Sequence, residues 1–264
     1  MEATHPTEPM SKDADFSSWD DCIRLLPAGN IAPLPPCKLT YDLIWNQSMR
    51  AGKAEITIGG DPDPDFPDAQ LVTVEAQTVG MARIMYSFNV THQAIIDRAT
   101  GRPLRTQQVQ KLGKNATSHK TRFSPEGAVT DTEKFEKGMV EKKEDQKFPC
   151  AQAYDLVSTV LYVRDVAAKC DDQVHIPVLV LNKGYLASLQ LVGREEVKSL
   201  GETTEGYKLQ LAISQPDETM KSHTDRLKSA YCWFSGDEKR LPVEIRVETE
   251  LGTVDVKLAK AEML

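Results

Sequence analysis

Hydrophobic positions along most of the chain recur with a period of two. Leu39, Tyr41, Leu43 and Trp45 fall on one face of CKLTYDLIW, with Lys38, Thr40 and Asp42 on the other. That alternation is the mark of a half-buried strand. Ala54, Ile56 and Ile58 repeat it after Ala51-Gly52, Val72 and Val74 fit a third strand, and Ile84, Tyr86, Phe88 and Val90 a fourth. The stretch GGDPDPDFPD between the second and third is marked as a loop by proline and glycine. Residues 93–132 continue as more polar strands around RATGRP and SPEG, and EKFEKGMVEKKEDQK reads as an exposed loop or ribbon.

The period changes once. Between Pro149 and Ala168, residues Ala153, Leu156, Val157, Val160 and Leu161 lie at helical spacing. A helix over about 150–168 is predicted, turning Leu156, Val157, Val160 and Leu161 to the sheet. Asp155 and Arg164 stand nine residues apart on it, too far to pair with each other, so each pins the helix to the sheet. The two-residue period then returns. HIPVLVL, Asn182-Lys183-Gly184 and YLASLQLVG form a hairpin pattern. Tyr207 to Ile213 alternates in the same way, as does the hairpin AYCWFS–GDEKR–LPVEIRVET, and Val254, Val256 and Leu258 close the chain. About a dozen strands with one inserted helix predict a mainly β fold. Its form is a large curved antiparallel sheet, an open or half-closed barrel, because a sheet this long must curl, split or close.

The ends and charges refine this picture. The chain has 264 residues and a formal net charge of −7, which argues against a basic nucleic-acid binder. Residues 1–20 are polar and acidic, without the basic and apolar regions of a signal peptide, and read as a disordered leader to a single β-rich domain over 21–264. No apolar stretch approaches the roughly 20 residues of a membrane-spanning helix. The five cysteines form no CxxC pair, so a zinc site has no support. Cys22 and Cys37 flank IRLLPAGNIAPLPP, and two readings stand: a disulfide closing a short loop, or buried thiols. Cys150 and Cys170 bracket the helix and are held too far apart by it to bond.

Four blocks together resemble a family of exported bacterial proteins known only as a domain of unknown function. They are LTYDLIWNQSMRAGKAEITI (39–58), AYDLVSTVLYVRD (153–165), YLASLQLVGREEVKSLGETTEGYKLQL (185–211) and WFSGDEKRLPVEIRVETELGTVDVKL (233–258). The resemblance spans about 37–258. It implies a periplasmic or secreted location and a curved sheet cradling one helix, similar in shape to the lipoprotein carriers of the bacterial envelope. It implies no reaction.

Candidate chemistry is sparse. Asp61, Asp63, Asp65 and Asp68 lack the glycine and glutamate of a calcium loop and read as a solvated acidic loop. Seven Arg and Lys between Asp97 and Arg122, with almost no aromatics among them, read as a charged outer strand face. The five histidines are scattered, and no HExxH, GxSxG or phosphate-binding loop occurs, so no catalytic residue, metal site or cofactor is nominated. Asn46, Asn89 and Asn115 each begin an N-x-S/T triplet.

Trp45, Tyr86, Tyr231 and Trp233 are the strand aromatics. They stand as candidate ligand-binding residues, with ordinary core packing as the competing reading. The expected function is non-enzymatic: an envelope protein holding an apolar or lipid-like molecule on a concave sheet face. The alternative, from another class, is a structural or assembly factor of the envelope that contacts another protein and has no ligand cavity. Neither reading calls for nucleic acid or a membrane span.

Overall fold

A computed structural model describes residues 18–27, 33–60, 63–169, 173–216, 222–224, 227–250 and 252–264. The first eight strands form an antiparallel meander: β1 (Cys37–Trp45), β2 (Met49–Ile58), β3 (Ala69–Thr78), β4 (Phe88–Asp97), β5 (Pro103–Leu112), β6 (Asn115–Ser124), β7 (Gly127–Glu136) and β8 (Met139–Phe148). The remaining strands are β9 (Val174–Val180), β10 (Lys183–Ser199), β11 (Glu202–Pro216), β12 (Ser222–Thr224), β13 (Leu227–Ser235), β14 (Pro242–Thr249) and β15 (Gly252–Met263). The helical pieces are α1 (Trp19–Cys22), α2 (Gly80–Met85) and α3 (Leu156–Val166), the last continued by a 3₁₀ turn over Ala167–Lys169.

All the strands belong to one sheet. Its order is β8-β7-β6-β5-β4-β3-β2-β1-β15-β14-β13-β11-β10-β9, with β12 beside β11. The chain's two halves join where β1 pairs with β15, Cys37 opposite Met263 and Trp45 opposite Val254. The sheet curls into a nearly closed, mainly antiparallel barrel, as the sequence pattern predicts.

A seam separates the edge strands β8 and β9. Ala128, Phe148, Cys150, Ala153 and Leu179 fill it from both sides, and Tyr154 makes a one-residue parallel bridge to Val178. Segment 18–27 covers another part of the β9 edge, where Arg24 exchanges backbone bonds with His175. Two glycines permit this closeness. A Cβ on Gly127, at φ +124°, would meet the Phe148 carbonyl, and one on Gly184 would lie 2.3 Å from the Phe148 ring. β8 itself, MVEKKEDQKF, is exposed along nearly its whole length and charged, which blunts it as an edge for pairing with another chain.

Three local expectations change. Ile84 and Tyr86 are not in a strand: Gly80–Met85 forms a single helical turn-and-a-half, and the strand starts at Phe88. The long helix starts at Leu156, not 150. Asp155 is its N-cap, its carboxylate accepting from the backbone N–H of Val157 and Ser158 while Ser158 Oγ caps in return. Residues 149–155 instead cross the seam. Cys37 is a free thiol, so the Cys22–Cys37 loop is not closed. Cys170 and the expected leader as far as residue 17 lie outside the described residues. Trp19, within the leader's expected span, stacks edge-on against Phe148 at 4.6 Å.

Candidate binding cavity

Helix α3 runs inside the barrel but does not fill it. Tyr162, Val163 and Val166 bury one face among Val174, Ile176, Leu189, Leu209, Cys232 and Phe234, side chains of β9, β10, β11 and β13. Both ends of the helix are tied. At its start, Asp155 Oδ2 accepts from His92 Nε2 of β4 at 2.9 Å. At its end, Arg164 Nε donates to the Lys239 carbonyl at 2.7 Å. The expectation that these two residues pin the helix holds, and the partners are now explicit. Burial pushes the Asp155 carboxyl up, and the bonds from His92 and Ser158 more than offset it, holding it below the usual carboxylate range.

Docked in this way, the helix turns its other stripe toward β1–β4. Leu156, Val157, Val160 and Leu161 face the inner positions of β1–β4 across a cavity of about 300 Å³. The stripe predicted to face the sheet does so around this cavity: Val157 and Leu161 also pack on the cluster of Leu39, Ile58 and Val72, Val160 on that of Ile176 and Leu209, and Leu156 is half exposed. The opposite wall comes from alternate residues of successive strands: Leu39; Ile56 and Ile58; Val72 and Val74; Phe88 and Val90. The period of two places each set on one face. Leu34 and Pro242 line it as well, and His92, Gln108 and Arg164 are its polar members.

Past His92 the interior changes character. Thr106, His119, Thr121, Thr130 and Thr132 are buried where apolar residues would continue the wall. Four of them pair: His119 Nδ1 is hydrogen-bonded to Thr132 Oγ1 and Thr121 Oγ1 to Thr130 Oγ1, each at 2.9 Å. His92 Nδ1 and His119 Nε2 are buried without a protein partner. A void of about 10 Å³, the room of one water, lies against both imidazoles. Burial, helped by Lys134, pushes the His119 pKa down, so this imidazole stays neutral near pH 7. The scattered histidines therefore include two that share one buried polar cluster. The signal in the sequence is Thr or His at every second position, Thr117, His119 and Thr121 in β6 and Thr130 and Thr132 in β7.

None of the four candidate aromatics lines the cavity. Trp45 is half-buried near the end of β1. Tyr86 is exposed beyond α2 and stacks on Phe88 at 6.1 Å, and Phe88 is part of the wall. Tyr231 and Trp233 lie together on the face of β13 opposite Cys232 and Phe234. There Lys208 Nζ stands 5.0 and 5.3 Å from their rings, and Trp233 Nε1 donates to Glu195 at 2.6 Å. The terminal hairpin pairs as expected, with Trp233 opposite Glu244 and Cys232 opposite Ile245. In the acidic loop, Asp63 and Asp65 both face Arg105, so these carboxylates neutralise a strand arginine. Among the described residues no three His, Cys, Asp or Glu side chains converge as a metal set.

Comparison with solved structures agrees with this architecture. A β-barrel-like protein of the domain of unknown function DUF1849 from Brucella abortus superposes with a TM-score of 0.59 at 10% identity, covering 88% of this chain and 98% of that one. At such low identity the likeness is one of fold alone. Two others reach only 0.36 at 6% identity. One is described as an exported protein with a YmcC-like fold, from Bacteroides fragilis, covering 89% of this chain and all of that one. The other is described as a lipoprotein, from Parabacteroides distasonis, covering 89% and 99%. Neither bears on function. The curated proteins contain no match. Residues 40–259, most of the barrel, match the family described as "Protein of unknown function (DUF3108)", and the chain belongs to that family.

Proposed function

We propose that the protein is a non-enzymatic, exported envelope protein that binds an apolar or lipid-like molecule in the cavity beside α3. The observation that carries this is the unfilled apolar space of about 300 Å³ between the helix stripe and strands β1–β4. Empty apolar volume is costly in a protein that only needs to fold, and this one is at the lower end of small-ligand sites. It would take about ten water-sized groups. From Leu156 to Arg164 the helix runs about 12 Å. Both figures suit one acyl chain rather than two, with its polar end toward His92 and Gln108. The exported location follows the family resemblance of the four sequence blocks. The competing assembly-factor reading calls for a filled interior, and the cavity counts against it.

Fluorescence titration of detergent-free protein with cis-parinaric acid tests the proposal, alongside native mass spectrometry for a co-purifying lipid. One-to-one binding is expected. Val160→Phe, which adds a ring into the space, should weaken it by about tenfold or more while the melting curve is unchanged or raised. No binding by the parent, or equal binding by Val160→Phe, overturns the proposal.

A further inference from the structure

Every second turn of the β1–β8 meander lies on the same edge of the sheet: 46–48, 79–87, 113–114 and 137–138. Large apolar side chains project from three of these turns in succession. Met81, Ile84, Met85 and Tyr86 do so from α2 and the residue after it, Leu112 beside the next turn, and Met139 and Val140 from the last. Ile84 is 79% exposed and Met139 72%. Hydrophobic side chains this open, repeated on neighbouring tips, are unusual for a surface that meets only water.

The tips adjoin one another. Gly113 N–H donates to the Ser87 carbonyl at 3.1 Å, and Val79 N–H to the Ala51 carbonyl at 3.0 Å. Neighbouring hairpins stand about 10 Å apart in a sheet, so the apolar tips form a row about 20 Å long.

Charge sorts the two edges. Segments 46–50, 79–87, 111–115 and 136–140 carry Arg50, Arg83, Lys111, Lys114 and Lys137 against the single acid Glu136, in a chain whose net charge is −7. The opposite edge holds Asp63, Asp65, Asp68, Asp97 and Glu126 against Arg98 and Arg102, an acidic balance.

We propose that this edge docks on the surface of an anionic lipid bilayer, with the apolar tips entering the headgroup boundary and the cations against the lipid charge. Apolar residues interleaved with Lys and Arg are the make-up of an interfacial anchor. The projections are separate tips rather than a flat face, which a fluid bilayer accommodates and a rigid protein partner does not. Phe88 connects this edge to the cavity wall through its stack on the exposed Tyr86, so docking brings the cavity next to the lipid. The surface stands on its own observations, whatever occupies the cavity.

Co-sedimentation with phosphatidylcholine vesicles, with and without phosphatidylglycerol, tests this. Binding to the anionic vesicles is expected, weakening at high salt as surface charges are screened. The double change Ile84→Glu with Met85→Glu should reduce it by about tenfold or more, as should Lys111→Glu with Lys114→Glu. These sites are exposed, so thermal melts and cis-parinaric acid titration should match the parent. Leu200→Glu, on the opposite edge, should bind vesicles as the parent does. The proposal fails if the parent ignores anionic vesicles or if the tip variants bind equally well. It also fails if the tip changes abolish self-association, seen by sedimentation velocity, in a protein that binds no vesicle.

Discussion

Asp155 is the joint on which the interior depends, and its removal has a calculable cost. The carboxylate is 2% exposed and takes bonds from the backbone of Val157 and Ser158, from Ser158 Oγ at 2.5 Å and from His92 Nε2 at 2.9 Å. Losing an N-cap costs about 0.5–2 kcal/mol. Stranding buried donors of a charged acceptor raises the total, and breaking a buried pair from one side costs about 3–5 kcal/mol. Asp155→Ala should therefore lose about 3–5 kcal/mol, a large part of the usual stability of a domain. Asp155→Asn keeps an acceptor for the helix N-terminus and should lose about 1–2 kcal/mol.

Urea denaturation followed by tryptophan fluorescence measures both, with an unchanged m-value showing that the folded and unfolded states have not been redefined. Because the folded pKa lies below the unfolded one, near 3.9, the carboxylate's contribution is fully present above that value and is lost as pH falls through the folded pKa. The stability gap between parent and Asp155→Asn should thus narrow below about pH 4. An Asp155→Ala protein within about 1 kcal/mol of the parent, the size of an exposed interaction, would refute the view that this residue holds the helix against β4.

Two other substitutions probe the walls. Gly184→Val places a Cβ 2.3 Å from the Phe148 ring and 2.9 Å from Trp19, so it should cost about 1–3 kcal/mol in a chemical melt; the cost should shrink in a Phe148→Leu background, where the ring is gone. Trp233→Ala should cost about 3–5 kcal/mol, because the side chain is 5% exposed and bonded to Glu195. The same variant should leave cis-parinaric acid binding intact, since Trp233 is not part of the cavity wall, and a loss of binding with full stability would reverse that assignment.

Local periodicity alone determined the strands of β1, β2, β3, β9 to β11 and β13 to β15, the single long helix, and therefore a large curved antiparallel sheet, an open or half-closed barrel; that it closes nearly completely was decided by the tertiary structure. Side-chain direction repeats every two residues in a strand and every 3.6 in a helix, so it needs no knowledge of partners. Ile84-Met85-Tyr86 misled because an apolar run of a few residues fits either period, and only the turn between β3 and β4 decides it. Which face of β13 packs on the helix is not readable, since Tyr231 to Phe234 is apolar or aromatic at consecutive positions; pairing with β11 and β14 puts Cys232 and Phe234 among the residues around Tyr162 and Val166, and Trp233 beside Lys208 and Glu244. The His92–Asp155 bond joins residues 63 apart in sequence, and the buried His119–Thr132 pair depends on β6 and β7 curling inward. The cavity itself has no sequence signature. It exists because α3 is tied at its start to β4 and at its end to the turn between β13 and β14, and spans the interior between them without filling it, a balance of distances that arises only once the sheet has closed.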